Sequence, residues 1–471
     1  MSHCSFPITA NTFLRLENSW KQSHGIARRS LIATAAIAAL IITPILFMMD
    51  GIRWAYRSLR KVPLADFPYF YSTQLFDRYR EKLHRFISSE VGKNPELGSL
   101  DLVRWILQPV SNRELFHKGV VVRHRDLLNR KKDLDPKSAQ FAERFCNWIY
   151  MGPNLLGAMS QWIQGNMTEN ERRNLSIKVN SQFLRSLHGR LVNKSQFQGE
   201  VFQDYRPYDP RYLGDTPSRL FKIGNTQIIR TPAVTRDEKR SFFGSLEKAK
   251  IVEEFEGFLD HAKRVGKRHF YVNLMMRHGS EKKRIEALED LERKRGDVLD
   301  LLTLSHDCDF YHQSNSFSAM NDAEQFKETF IDRMFSDLEA FHFPIAWDRG
   351  DTRNIAMNVI EQVHQTYFAS APTLEKWQRH RFIELVYVGI IETFIREKTP
   401  ATCNVSCRSC VDRGAANLAL LYAKTRPLNT PKSRETLATI ALAPALIAQG
   451  RPMLHFRVNR LSALDHLIPV S

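Results

Sequence analysis

The second half of the chain predicts an α/β fold: a central sheet with flanking helices and a strand–loop–helix turn, preceded by a mainly helical region and one transmembrane helix. Three observations lead there. From residue 216 onward, short β-branched or apolar runs alternate with longer helical patterns, the rhythm of an α/β layer domain. Between residues 51 and 215, apolar residues recur at three- and four-residue intervals. Residues 30–49, SLIATAAIAALIITPILFMM, carry no charge and are long enough to cross a bilayer once.

Taken in order, residues 1–29 form a polar, mixed segment ending in Arg28-Arg29, and the apolar run 30–49 follows. A cleaved signal peptide fits poorly, because the leader is long and no small-x-small site precedes Asp50. Flanking positive charge is balanced, so orientation is weakly set; the chemistry of a thiolate favours a cytosolic face for the C-terminal part. Residues 73–89, 100–107 and 137–150 are expected helices of the 51–215 region. Its basic cluster, Arg123, Arg125, Arg130, Lys131 and Lys132, is read as a solvated face. Residues 205–218 (YRPYDPRYLGDTPS) hold the turn residues of a linker.

In the domain spanning 216–471, the expected strands are 226–230, 269–274, 298–304, 343–347 and 402–405. The expected helices are 246–264, 281–295, 323–335, 354–368, 373–397, 413–424 and 435–449. The last contains Pro444 and is too short in apolar residues for a second span.

Length and charge bound the function. The chain has 471 residues and a formal net charge of +17, so anionic membrane surfaces, phosphorylated small molecules or nucleic acid are the partners to weigh. No zinc-finger spacing, Arg-Gly-Gly tract or RNP-like aromatic cluster supports nucleic acid. Of six cysteines, Cys403, Cys407 and Cys410 crowd together while Cys4, Cys146 and Cys308 are scattered, which is no secreted disulfide framework.

The most informative stretch is Asn404-Val405-Ser406-Cys407-Arg408-Ser409-Cys410-Val411-Asp412-Arg413-Gly414. A strand leads into it and a helix leads out. A short loop in that setting turns backbone N–H groups inward as a nest for a tetrahedral oxyanion. A cysteine at its floor is favoured as thiolate, the nucleophilic form. An arginine at its far end grips two phosphate oxygens. Cys407 and Arg413, with five residues between them, match that arrangement.

These residues resemble the cysteine-class phosphoinositide phosphatases. The nearest likeness is to the secreted bacterial inositol-phosphate phosphatases and the mammalian inositol polyphosphate 4-phosphatases, whose loop reads Cys-Lys-Ser-Gly/Ala-Lys-Asp-Arg-Thr. The Sac-type lipid phosphatases share the Cys-x-x-Cys-x-Asp-Arg form. The resemblance implies that Cys407 is the nucleophile and Arg413 the phosphate clamp. It implies that Asp412 is the general acid, with Asp348 in Ala346-Trp347-Asp348-Arg349 as the alternative. Arg408, Ser409, Cys410, Val411 and Gly414 would line the substrate site. Arg408 keeps the charge of the first Lys. Val411 replaces the second Lys, and Gly414 stands where the family has Thr or Ser. Those departures imply weaker hold on a second ring phosphate and slow turnover. Two fainter echoes are Asn354-Ile355-Ala356-Met357-Asn358 and the region from Pro444 to Leu464, expected to close over the loop. The implied partner is a phosphoinositide lipid or inositol phosphate at an anionic membrane, with no nucleic acid, no metal and no cofactor.

Other readings stay open. A catalytically impaired module that only binds phosphoinositides fits the same loop. A protein tyrosine or dual-specificity phosphatase is the other substrate class. Cys403, Cys407 and Cys410 have radical-SAM cluster spacing, but late in the chain; a zinc site lacks a fourth ligand; and Cys407–Cys410 is a possible redox pair. Arg277-His278-Gly279 is read as a turn, and His306-Asp307-Cys308-Asp309 with His312 as a polar loop.

Overall fold

A computed structural model of the chain describes residues 69–109, 113–152, 154, 156–194, 216–240, 246–449 and 452–468. Residues 70–236 and 251–471 form one compact unit, and Asp237–Lys250 belong to a second.

The described residues begin with α1 (Tyr69–Lys93), α2 (Asp101–Leu107), α3 (Arg113–Asn129), α4 (Pro136–Met151), α5 (Leu156–Gly165), α6 (Glu169–Ile177) and α7 (Ser181–Lys194). Their starts follow local chemistry. Asp135 caps α4 by accepting from the amides of Lys137 and Ser138, with Pro136 in the first turn. Thr168 and Glu171 close a capping box on α6. The basic cluster is largely tied down. Lys131 pairs with Asp260 at 2.5 Å and Glu143 at 2.8 Å, and Arg123 lies 5.0 Å from the Trp105 ring.

Next come β1 (Ser218–Ile223), β2 (Thr226–Arg230), β3 (Thr235–Arg240), β4 (Leu246–Ile251), α8 (Glu253–Arg264), β5 (His269–Asn273), α9 (Lys282–Arg295) and β6 (Leu299–Leu304). Then follow α10 (Ala323–Ser336), β7 (Phe341–His342), α11 (Arg349–Phe368), α12 (Lys376–Lys398), β8 (Thr402–Ser406), α13 (Arg413–Thr425) and α14 (Pro431–Gln449). The main sheet runs β1-β2-β8-β5-β6-β7. Its four inner strands are parallel, and β1 and β7 add antiparallel edges. The α/β architecture expected from the alternation is therefore present, with a mixed sheet.

β5 and β6 are buried along their whole length, as strands covered on both faces must be. β8 is equally buried although it reads Thr-Cys-Asn-Val-Ser. Its polar groups are matched from the neighbouring strand. The His269 ring on β5 contacts Thr402 Oγ1 at 2.7 Å and Asn404 Oδ1 at 2.6 Å. At the far end Ser406 Oγ donates to Thr231 O at 3.0 Å. Most of the strand's side-chain polar groups are thus met internally, while Asn404 Nδ2 is buried without a hydrogen-bond partner among the described residues.

Several expectations are corrected. The expected span, residues 30–49, lies outside the described residues. Among the described residues no helix is long and apolar enough to cross a membrane, so the transmembrane helix and the single-pass membrane localisation are not supported. The expected helix 246–264 divides into β4 and α8 at Val252, because Leu246–Ile251 pairs with β3. Across that hairpin Lys239 meets Glu247 at 2.8 Å and Lys248 meets Glu238 at 3.0 Å. The expected strand 343–347 is coil: Pro344 lacks an N–H for a ladder, and Asp348 already caps α11. β1 was not expected at all; its Ser218–Ile223 run fell at the end of the linker reading.

His269 gives a test of the β5–β8 joint. Burial holds its pKa at about 3, although the hydrogen bond to Asn404 Oδ1 pushes the other way. The neutral ring is what the fold needs, while the unfolded chain takes a proton below about 6.5. Stability should therefore fall as pH drops from about 6.5 toward 3, and His124, held at about 3 by burial and then by Arg125, adds to the slope. His269→Phe, which orphans Thr402 and Asn404, should cost about 2–3 kcal/mol at pH 7 and flatten the acid limb. Urea unfolding midpoints at pH 7 and pH 5 check this; equal midpoints for the native chain contradict it.

Candidate functional site

Three parallel strands deliver the site at their carboxyl ends. Val405 lies opposite Arg230 of β2 and Ser406 opposite Asn273 of β5. The chain then leaves the sheet at Cys407, turns through residues 407–412, and enters α13 at Arg413. β8 is inserted between β2 and β5, the kind of position where open parallel sheets bind ligands.

The turn is held from outside through its carbonyls. Arg408 O accepts from Ala233 N at 3.1 Å. Arg230, fully buried at the end of β2, donates to Ser409 O and to Cys410 O, each at 3.1 Å. With three successive carbonyls turned outward, the loop has the sense that a nest of inward amides requires. Cys410 has a φ of +52°, the left-handed conformation that tightens the bend. Its thiol donates to Val405 O at 3.2 Å. Burial, partly offset by Arg230, pushes the Cys410 pKa up to about 12, so it stays a thiol and leaves Cys407 as the nucleophile candidate.

Cys407 is buried, with 4% of its surface exposed. Arg413, also buried, is the first residue of α13 and reaches back over the carboxyl edge of the sheet. It donates to both carboxylate oxygens of Glu281 and to Asp307, and to Leu274 O at 3.3 Å. Burial by itself lowers the Arg413 pKa, but Glu281 and Asp307 push it well above the ordinary guanidinium value. The hydrogen bonds of the Arg413 guanidinium go to Glu281, Asp307 and Leu274 O.

The partners of Arg413 escaped the sequence reading. Glu281 follows β5, and Asp307 follows β6 within the His306–His312 stretch that reads as an ordinary polar loop. Both sit just past the carboxyl end of an expected strand, and that placement was the available signal. Burial raises the Asp307 pKa, but His312, Arg413 and Arg457 together hold it well below the carboxylate range. The C-terminal segment supplies the outer wall. Arg457 donates to Asp307 Oδ1 at 2.8 Å, and Arg460 to His306 O at 3.0 Å. Leu454 N donates to Asp412 Oδ1 at 3.0 Å. The expectation that the region from Pro444 to Leu464 closes over the loop agrees with these contacts.

The remaining sequence candidates fall in distinct places. Asp412 stands immediately before α13, its carboxylate held by Leu454. Val411 is 2% exposed and packs inward, so it presents nothing polar to a ligand. Arg408 is half-buried and Ser409 buried. Asp348 is exposed and caps α11 by accepting from Asp351 N at 2.9 Å; no contact among the described residues ties it to the loop. Asn354 to Asn358 lie within α11. Arg277-His278-Gly279 is a turn, with Gly279 at a φ of +53°. A second Cys–His–carboxylate arrangement exists: the His124 ring lies 3.3 Å from Cys146 Sγ and 3.8 Å from Glu254. Burial raises the Cys146 and Glu254 pKa values and lowers that of His124, each away from its charged form, and all three side chains are buried in the core. Among the described residues no group of three or more His, Cys, Asp or Glu side chains could hold a metal ion.

Gly414 has a physical explanation. A β-carbon there would lie 2.5 Å from Cys410 Sγ. The larger side chain at 410 and the missing one at 414 occupy the same space, so the Thr or Ser of the resembled loop has no room beside Cys410.

Comparison with protein-family models, with curated proteins and with solved structures finds no match.

The steric coupling at the loop is testable. Gly414→Ala should destabilise the fold by about 1–3 kcal/mol through overpacking, and adding Cys410→Ala should recover most of that loss. Denaturant unfolding of the two single variants and the double variant measures the coupling. Additive effects contradict it.

Proposed function

We propose that the chain is a cysteine-dependent phosphoric monoester hydrolase acting on inositol phosphates or phosphoinositides. One observation carries the reading: Cys407 and Arg413 occupy opposite ends of a tight β8–α13 turn at the carboxyl edge of parallel strands. That is the placement a phosphocysteine mechanism needs.

In this mechanism the Cys407 thiolate attacks phosphorus, a sulfur–phosphorus bond forms, and the bond to the alcohol oxygen breaks. Arg413 and the loop amides hold the equatorial oxygens. The leaving alkoxide takes a proton from Asp412, the carboxyl inside the loop. Water then hydrolyses the phosphocysteine and releases inorganic phosphate. Asp307 is unsuited as the acid, because its arginine partners favour the ionised form. It serves with Glu281 to position Arg413. Substrate access requires the C-terminal segment at Leu454 and Arg457 to yield, since Cys407 is buried beneath the closed arrangement.

Gly414 favours a second reading, a module that binds phosphorylated ligands without turnover. No hydroxyl can stand at 414 to assist breakdown of the intermediate while Cys410 fills that space.

Phosphate release from a panel of inositol phosphates, short-chain phosphoinositides and phosphotyrosine peptide separates the readings. The native chain should release phosphate from the inositol compounds. Cys407→Ser should remove that activity, and Arg413→Lys should lower it about a hundredfold or more. Release that persists in Cys407→Ser overturns the mechanism. Tight binding of an inositol phosphate without release supports the binding module.

A further inference from the structure

The opposite edge of the sheet, at the amino ends of the parallel strands, holds a cavity of about 630 Å³. That volume lies within the ~300–1,000 Å³ range of small-molecule sites. Five cations line it: Arg219 and Lys222 of β1, Lys267 and Arg268 before β5, and Lys398 at the end of α12. Among the described residues no carboxylate lines it. From this edge we infer a second binding site, distinct from the Cys407 loop, for a small molecule carrying two or more phosphates.

The charge balance supports the site. Arg268 is already matched, forking onto Asp300 at 2.6 and 3.1 Å and onto the carbonyls of Gly296 and Asp297. Among the described residues no acid pairs with the other four. Arg219 donates to Gly152 O at 3.3 Å, yet its Nε is buried with no hydrogen-bond partner among the described residues. Lys398 lies 5.4 Å from the Trp347 ring centroid. No ion pair among the described residues engages Lys222 or Lys267, and both are exposed. The ordinary explanation is that these cations answer the C-termini of α4, α8 and α12, which end on the same rim. Three helix ends supply roughly one and a half units of negative partial charge together. Four cations exceed that, leaving a positive concavity. Phosphates clustered on one small molecule answer it best, because Lys and Arg bind phosphate oxygens through charge-assisted hydrogen bonds.

Calorimetric titration of the full chain with inorganic tripolyphosphate, metal-free ATP and inositol hexakisphosphate, at physiological salt, tests the site. At least one should bind, and the tightest identifies the source of the phosphates. The double variant Lys222→Glu/Lys267→Glu should weaken that binding tenfold or more without shifting the thermal midpoint, since both side chains are exposed. It should leave phosphate release by the Cys407 loop unchanged. Arg408→Glu, at the Cys407 loop on the opposite edge, should remove any inositol-phosphate binding that belongs to that loop and leave the component that Lys222→Glu/Lys267→Glu removes. No heat from any of the three ligands overturns the proposal. So does binding that Lys222→Glu/Lys267→Glu leaves intact in the Arg408→Glu background.

Discussion

A guanidinium buried at the mouth of a sheet must be matched, and Arg413 organises the carboxyl edge of this fold by that requirement. An unmatched buried charge costs several kcal/mol, so the residues that neutralise it are fixed in place with it. Glu281 comes from the turn after β5, and Asp307 from the turn after β6. Asp307 in turn draws in Arg457 from the C-terminal segment. One cation thus gathers three strand ends and the tail of the chain over the Cys407 loop. Remove it and two half-buried carboxylates lose the cation that holds them together.

The same economy of space and charge governs the floor of the site. β8 carries Thr402, Asn404 and Ser406 through the centre of the sheet, where His269 meets Thr402 Oγ1 and Asn404 Oδ1 and Thr231 O accepts from Ser406. That keeps the strand straight up to the point where Cys407 leaves it. Beyond it Arg230 holds the outward carbonyls, while Cys410 and Gly414 share one small volume. The result is a turn whose shape is over-determined before any ligand arrives, which is what preorganised anion binding needs.

The two edges of the sheet solve opposite electrostatic problems. At the carboxyl edge, cations are buried and paired with acids, so the positive charge there is stored and released only by rearrangement. At the amino edge, cations are exposed around a cavity and largely unmatched, so the charge is available at once. A net charge of +17 does not by itself distinguish the two, because it counts paired and unpaired lysines and arginines alike.

What the sequence determined was local. The alternation after residue 216 fixed the α/β class, β2 and β8 were legible as apolar or β-branched runs, and the five-residue spacing placed Cys407 and Arg413 at the two ends of one turn. Those features are short-range, and short-range chemistry is sufficient for them. β4 was misread because Leu246–Ile251 carries helix-forming lysines and glutamate, and only pairing with β3 makes it a strand. Glu281, Asp307 and Arg457 were invisible for the same reason: each is unremarked in its own stretch and gains meaning when β8 inserts between β2 and β5. Tertiary structure decided which charges meet, because strand order, not sequence distance, brings buried charges within reach of one another.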